Sequence, residues 1–133
     1  MASTSYRTGK VQPQYTSFAM PTKLQVLEDR VRRIKGDLNR LGELRPGALS
    51  EQYNVCGKPG CRCKATPPEK HGPYYQLSWS RNGKSTTRFV RRPELQAVRG
   101  QIKAYQRLQQ LVEEWIATSV EICEIKRQKA REE

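Results

Sequence analysis

The sequence predicts an α+β fold, in which two long helices form an antiparallel, coiled-coil-like hairpin and a zinc-stapled β-hairpin is inserted between them. Two segments with apolar residues spaced three and four apart predict the helices. Between them, two β-rich runs meet at Asn82-Gly83, a dipeptide that strongly favours a tight hairpin turn. Three cysteines and a histidine within 16 residues precede this hairpin, and such a cluster predicts a metal site.

The chain length of 133 residues fits one domain, with residues 1–21 as a flexible basic tail and residues 22–133 as the folded unit. The tail carries Arg7 and Lys10 without any acidic residue, a composition typical of disorder. A chain this short builds a small core, and small domains often gain stability from a bound metal.

The first helix is predicted over residues 22–42. Thr22 and Gln25 have the spacing of a capping box, and Gly42 is placed to end the helix. The apolar residues step by three and four, as in a heptad seam. They are Leu24, Leu27, Val31, Ile34, Leu38 and Leu41.

Residues 43–53 are predicted to be a connector, and residues 54–92 to hold the zinc loop and the β-hairpin. Within the hairpin, Tyr75, Leu77 and Trp79 alternate along one strand, which predicts that they share the buried face.

The second helix is predicted over residues 93–127, because Pro93 and Glu94 suit its first turn. Cys123 lies on its apolar side and is expected to be a buried structural thiol. The two seams are expected to bury against each other, although a dimeric coiled coil remains an alternative. The apolar stripe comprises Leu95, Val98, Ile102, Tyr105, Leu108, Val112, Trp115, Ile116, Ile122 and Ile125.

The metal site is predicted from the chemistry of its donors. Thiolates and a neutral imidazole are the ligands that Zn²⁺ prefers, and four of them close a structural site with no open position. The spacing C-x4-C-x-C-x7-H is less common than paired C-x2-C knuckles, so free or redox-active thiols are the alternative. The predicted ligands are Cys56, Cys61, Cys63 and His71.

The net charge of +12 is concentrated in residues 54–92, which hold nine basic residues against Glu69 alone. Residues 93–133 balance seven basic residues with seven acidic ones. This segregation predicts a nucleic-acid-binding surface, with phosphate contacts from the cations and stacking from two tyrosines, and DNA is favoured over RNA. The predicted binding residues are Lys58, Arg62, Lys64, Lys70, Arg81, Lys84, Arg88, Arg91, Arg92, Tyr74 and Tyr75.

Other classes of protein fit the sequence poorly. No long apolar run predicts a membrane span or a signal peptide, so a cytoplasmic location is expected. Gly83-Lys84-Ser85-Thr86 resembles the end of a phosphate-binding loop, but position 78 is a serine and the stretch lies on a hairpin. The single histidine is predicted to bind metal, so we expect no enzyme.

Several motifs together resemble a family of small prokaryotic proteins, of unassigned activity, that are often encoded beside transposase genes. The resemblance covers residues 44–127 and implies an accessory factor of a mobile element, acting with a transposase or recombinase. An RNA-binding module of a ribonucleoprotein and a coiled-coil protein adaptor are the alternative functions. The motifs are Gly47-Ala48-Leu49-Ser50, Cys56-Gly57-Lys58-Pro59-Gly60-Cys61-Arg62-Cys63, His71-Gly72-Pro73-Tyr74-Tyr75, Gly83-Lys84-Ser85 and Arg88-Phe89-Val90.

Overall fold

The computed structural model describes residues 19–132, so the predicted basic tail lies almost wholly outside the described residues. The fold is α+β, with a three-stranded antiparallel sheet and a long C-terminal helix, which confirms the predicted class. The order along the chain is α1 (Lys23–Asn39), β1 (Ala48–Asn54), β2 (His71–Arg81), β3 (Lys84–Val90) and α2 (Leu95–Glu132). Short 3-10 turns occupy Arg62–Lys64 and Arg92–Glu94.

Helix α1 begins at the predicted capping box. The Gln25 backbone N–H donates to Thr22 Oγ1 over 3.2 Å, and the Thr22 N–H donates to Gln25 Oε1 over 2.9 Å. These two bonds satisfy donors that the first turn of a helix leaves without partners. The helix ends at Asn39, three residues before the predicted end at Gly42.

The predicted hairpin is formed by β2 and β3. Asn82 and Gly83 have φ values of 52° and 75°, the positive values at both central residues that a type I′ turn requires. Arg81 pairs with Lys84 directly across the turn. This turn sets the register, so that Leu77 faces Arg88 and Tyr75 faces Val90 on the neighbouring strand.

The predicted connector over residues 43–53 is wrong in its second half, because Ala48–Asn54 forms strand β1. This strand pairs with β2 through Leu49 with Leu77 and Glu51 with Tyr75. Glu51 interrupts the apolar alternation of β1, so the strand has little sequence signal of its own. It forms because the open edge of β2 offers partners for its backbone hydrogen bonds.

The main core lies between the sheet and the start of α2. Tyr75 and Trp79 are half-buried against it, and Leu77 is only 1% exposed, which confirms the predicted inner face of β2. Alternation along the strand therefore positions three side chains against one helix. The buried members of this core are Leu77, Val90, Leu95, Val98 and Ile102.

Helices α1 and α2 pack against each other beyond the sheet. Leu27 and Ile34 of α1 are buried, as predicted for its seam. Two ion pairs join the helices, Asp37 with Arg107 over 3.6 Å and Glu28 with Lys126 over 3.9 Å. Glu28 precedes Asp37 along α1, whereas its partner Lys126 follows Arg107 along α2.

The predicted stripe on α2 is too broad. Val112 and Ile116 are 38% and 53% exposed, and Leu111 takes the buried position instead. The prediction of a buried Cys123 is also wrong, because this thiol is exposed. The reason is geometric: α1 covers one face of α2, and these three exposed residues lie between its ion-pair contacts at Arg107 and Lys126 but on another face of the helix. No helix within residues 19–132 is long and apolar enough to cross a membrane.

The first test concerns the core. Leu77→Ala is expected to lower the free energy of unfolding by about 2–5 kcal/mol, because it removes a buried side chain and leaves a cavity. Ser78→Ala, on the exposed face of the same strand, is the control and is expected to cost about 1 kcal/mol or less. Urea denaturation followed by circular dichroism measures both. Equal losses for the two variants would contradict this placement of the core.

Candidate metal centre and basic surface

Strand pairing brings the predicted metal ligands together. Cys56 lies two residues after the end of β1, and His71 begins β2, where it pairs with Asn54. Cys61 and Cys63 come from the intervening loop, in which Cys61 caps the 3-10 turn Arg62–Lys64. The loop therefore leaves the end of β1 and enters the start of β2 at paired positions of the sheet.

The four donors lie close enough to hold a metal ion. All their ligand atoms are within 4.8 Å of one another. Cys56 Sγ lies 3.6 Å from Cys63 Sγ, and Cys61 Sγ lies 3.2 Å from His71 Nε2. Tetrahedral Zn²⁺ with bonds of about 2.3 Å holds its sulfurs about 3.8 Å apart, so the observed spacing fits such a site.

The backbone around the cluster supports this arrangement. Cys63 is 1% exposed, and the backbone N–H of Cys56 donates to its sulfur over 3.4 Å. Gly72, next to His71, has a φ of +142°, and a Cβ there would lie 2.7 Å from the carbonyl oxygen of Gln52. Only glycine allows β1 and β2 to approach so closely beside the histidine.

The cysteines differ in acidity. Hydrogen bonds from the backbone N–H of Cys63 and from the Cys56 and Cys63 thiols lower the pKa of Cys61 to about 6. The backbone N–H of Lys58 acts to lower the pKa of Cys56, but hydrogen bonds with the other two thiols and burial raise it overall. Cys61 is therefore largely a thiolate at neutral pH, the form that binds metals.

The nine cations of the basic segment are all exposed. Of these nine, only Arg62 has a carboxylate at salt-bridge distance within residues 19–132, with Glu69 at 4.0 Å. The other eight have no such neighbour in the described structure. Their charge is therefore available to an anion from solution.

The sheet divides the predicted binding residues between its two faces. Strand alternation places Arg81, Lys84 and Arg88 on the same side as Leu77, near the turn and towards α2. Tyr74 lies on the opposite, outer side. Tyr75 is half-buried against the core, with the guanidinium of Arg99 5.9 Å from its ring centre.

Two further residues of this region are not among the sequence-predicted ones. Phe89 is 71% exposed on the outer side of β3, opposite Gln76. Its position follows from the register that the Asn82-Gly83 turn sets, so the signal was present in the sequence. Arg45 stacks 4.7 Å from the ring centre of Trp79, and no local pattern marks that contact.

One family model matches residues 24–100, more than half of the chain, and it is described as Domain of unknown function (DUF6788). The chain belongs to this family. The DUF6788 match includes nearly all of α1, the whole sheet, the start of α2 and all four members of the cysteine–histidine cluster. Neither the curated proteins nor the solved structures contain a match to the chain.

The metal centre can be tested by titration. The metal-free full-length protein is expected to bind one equivalent of Co²⁺, whose absorption reports tetrahedral thiolate ligation. Cys61→Ala is expected to weaken binding at least about 100-fold, since loss of even a ligand's outer partner costs about 10- to 100-fold. Cys123→Ala is the matched control and retains full affinity, because this cysteine lies outside the cluster. Equal binding by both variants would exclude the site.

The acidity of Cys61 gives a separate test on the metal-free protein. Because its pKa is lowered to about 6, the thiolate fraction rises between pH 5 and pH 7 and is nearly constant above that. The iodoacetamide reaction rate at Cys61, followed by peptide mass spectrometry, is expected to show this profile. A rate that continues to climb towards pH 9 would contradict the assignment.

Proposed function

We propose that this protein is a DNA-binding accessory factor of a mobile element, with a zinc-stabilised loop and β-hairpin that contact phosphates. One observation carries the proposal: nine exposed cations lie in residues 54–92, the segment that also holds the four-donor cluster, and that segment contains a single acidic residue. A surface of this kind attracts a polyanion, and each phosphate contact releases counterions.

The proposed metal is Zn²⁺, which matches a donor set of three sulfurs and one imidazole nitrogen. When bound, it supplies a rigid cross-link between the loop and β2. Four protein donors complete its shell, so the site is structural and we propose no enzymatic activity. The loop over residues 55–70 then presents Lys58, Arg62, Lys64 and Lys70 in fixed positions.

The helices are proposed to serve as a docking element with coiled-coil-like packing. Their charges are nearly balanced, since residues 93–133 hold seven basic and seven acidic side chains. Val112, Ile116 and Val120 recur every four residues on α2 and are all exposed, which leaves an apolar strip beside the α1 contact. The proposed partner is a transposase or recombinase, with a second copy of this chain as the alternative.

Charge reversal tests the proposal. A triple variant is expected to abolish measurable binding to duplex DNA at moderate salt. It combines Arg81→Glu, Lys84→Glu and Arg88→Glu. A milder triple change to Gln is expected to reduce the slope of log affinity against log salt by about 2 to 3, because each phosphate contact contributes about 0.9. Fluorescence anisotropy over a range of salt concentrations measures both quantities.

The matched control reverses three exposed cations on the balanced helix, Lys103, Lys129 and Arg131. It changes the net charge equally and is expected to alter affinity much less. Folded RNA is titrated at the same salt, and tighter binding to it than to duplex DNA would select the RNA-binding alternative. Unchanged binding after reversal of the hairpin cations would select the protein adaptor, whose basic surface is incidental.

A further inference from the structure

The outer face of the sheet is left uncovered by the described part of the chain. Within residues 19–132, helix α2 packs on the inner face only, and α1 packs on α2. The strands place no charged side chain on the outer face, and most of its residues are exposed. These residues are Ala48, Ser50, Gln52, Tyr74, Gln76, Ser78, Ser80, Ser85, Thr87 and Phe89.

Two aromatic rings lie together on this polar face. Phe89 is opposite Gln76, and Tyr74 is two residues before Gln76 on the same strand, so the rings are diagonal neighbours. Such neighbours are about 7–8 Å apart, within reach of one aromatic ligand. Phe89 is 71% exposed and Tyr74 is 44% exposed. Both line an open cavity of about 330 Å³ at the end of the sheet.

Two arginines line the same cavity. Arg91 and Arg92 follow directly after β3, and both are exposed without a carboxylate at salt-bridge distance among the described residues. The rest of the lining is Pro73, Tyr75 and Val90. The lining of the cavity thus combines flat aromatic rings with two positive charges, and it lies next to the start of β2.

We propose that this outer face binds unpaired bases of single-stranded nucleic acid, which stack on Phe89 and Tyr74 while Arg91 and Arg92 contact the adjacent phosphates. The inference rests on the proposed function and adds the substrate class and the element that recognises it. Bases of any kind can stack on an exposed aromatic ring, and a neighbouring positive charge binds the phosphate backbone of the strand.

The chemistry of the face favours single strands over duplex. Bases inside a duplex already stack on one another and leave no ring face for Phe89, whereas an unpaired base does. The neutral side chains around the rings, such as Gln76, Ser78 and Thr87, carry donors and acceptors that suit the edges of unpaired bases. The two rings are the only large apolar groups on the outer face of the described strands, which is too few for a protein-docking surface.

The experiment measures fluorescence anisotropy with the full-length protein and four labelled probes at fixed salt. The probes are a mixed-sequence DNA strand, the same strand annealed as duplex, the same sequence as RNA, and the DNA strand with abasic sites. Phe89→Ala is expected to weaken binding to single-stranded DNA about 5- to 150-fold, the range found when a stacking ring is removed. Binding to duplex DNA is expected to be unchanged.

Two variants control for structure. Ser85→Ala, on the same face and strand but beside the turn and away from the rings, removes no ring and is expected to bind every probe as the wild type does. Phe89→Trp keeps a stacking surface and is expected to retain binding to single strands. If Phe89→Ala binds single strands weakly and Phe89→Trp binds them as the wild type does, the loss of affinity is due to the missing ring and not to misfolding.

The outcomes separate this inference from the proposed function. If wild-type protein binds the strands but Phe89→Ala and the abasic probe change nothing, stacking on this face is overturned while nucleic-acid binding stands. If the wild type binds none of the probes, the proposed function fails as well. The same losses seen with the RNA strand alone would support the stacking face and identify RNA as its ligand.

Discussion

The antiparallel pairing of β1 with β2 is the constraint on which the rest of the molecule depends. It sets Asn54 opposite His71, and so it fixes where the loop over residues 55–70 leaves the sheet and where it returns. The close approach at Gly72 allows that pairing to continue up to the histidine. The cysteine–histidine cluster and the position of the basic loop both follow from this one strand pair.

Strand β2 runs through three parts of the fold: the cysteine–histidine cluster, the core and the hairpin turn. Its first residue belongs to the cysteine–histidine cluster, its middle holds Leu77 in the core, and its last residue pairs across the Asn82-Gly83 turn. Because one strand carries all three, order at the cluster and order in the core support each other. The two faces of the same strand separate an inner side with cations near the turn from an outer side with exposed rings.

Local signals explain what the sequence could predict. The Thr22 capping box, the Asn82-Gly83 turn and the cysteine–histidine cluster each depend on residues close together in the chain, and each appears as expected. Strand β1 could not be predicted, because its stability comes from the edge of β2 and not from its own pattern. The exposure of Cys123 likewise depends on which face of α2 lies against α1, which periodicity along α2 alone does not contain.

The length of α2 has a mechanical consequence. At about 1.5 Å per residue, its 38 residues span about 57 Å, while the sheet contacts only its first turns through Leu95, Val98 and Ile102. The helix is thus a spacer with a fixed phase: each inserted residue would turn its far end by about 100° relative to the sheet. Removal of seven residues would shorten the spacer by about 10 Å with little rotation, so reach and orientation can change independently.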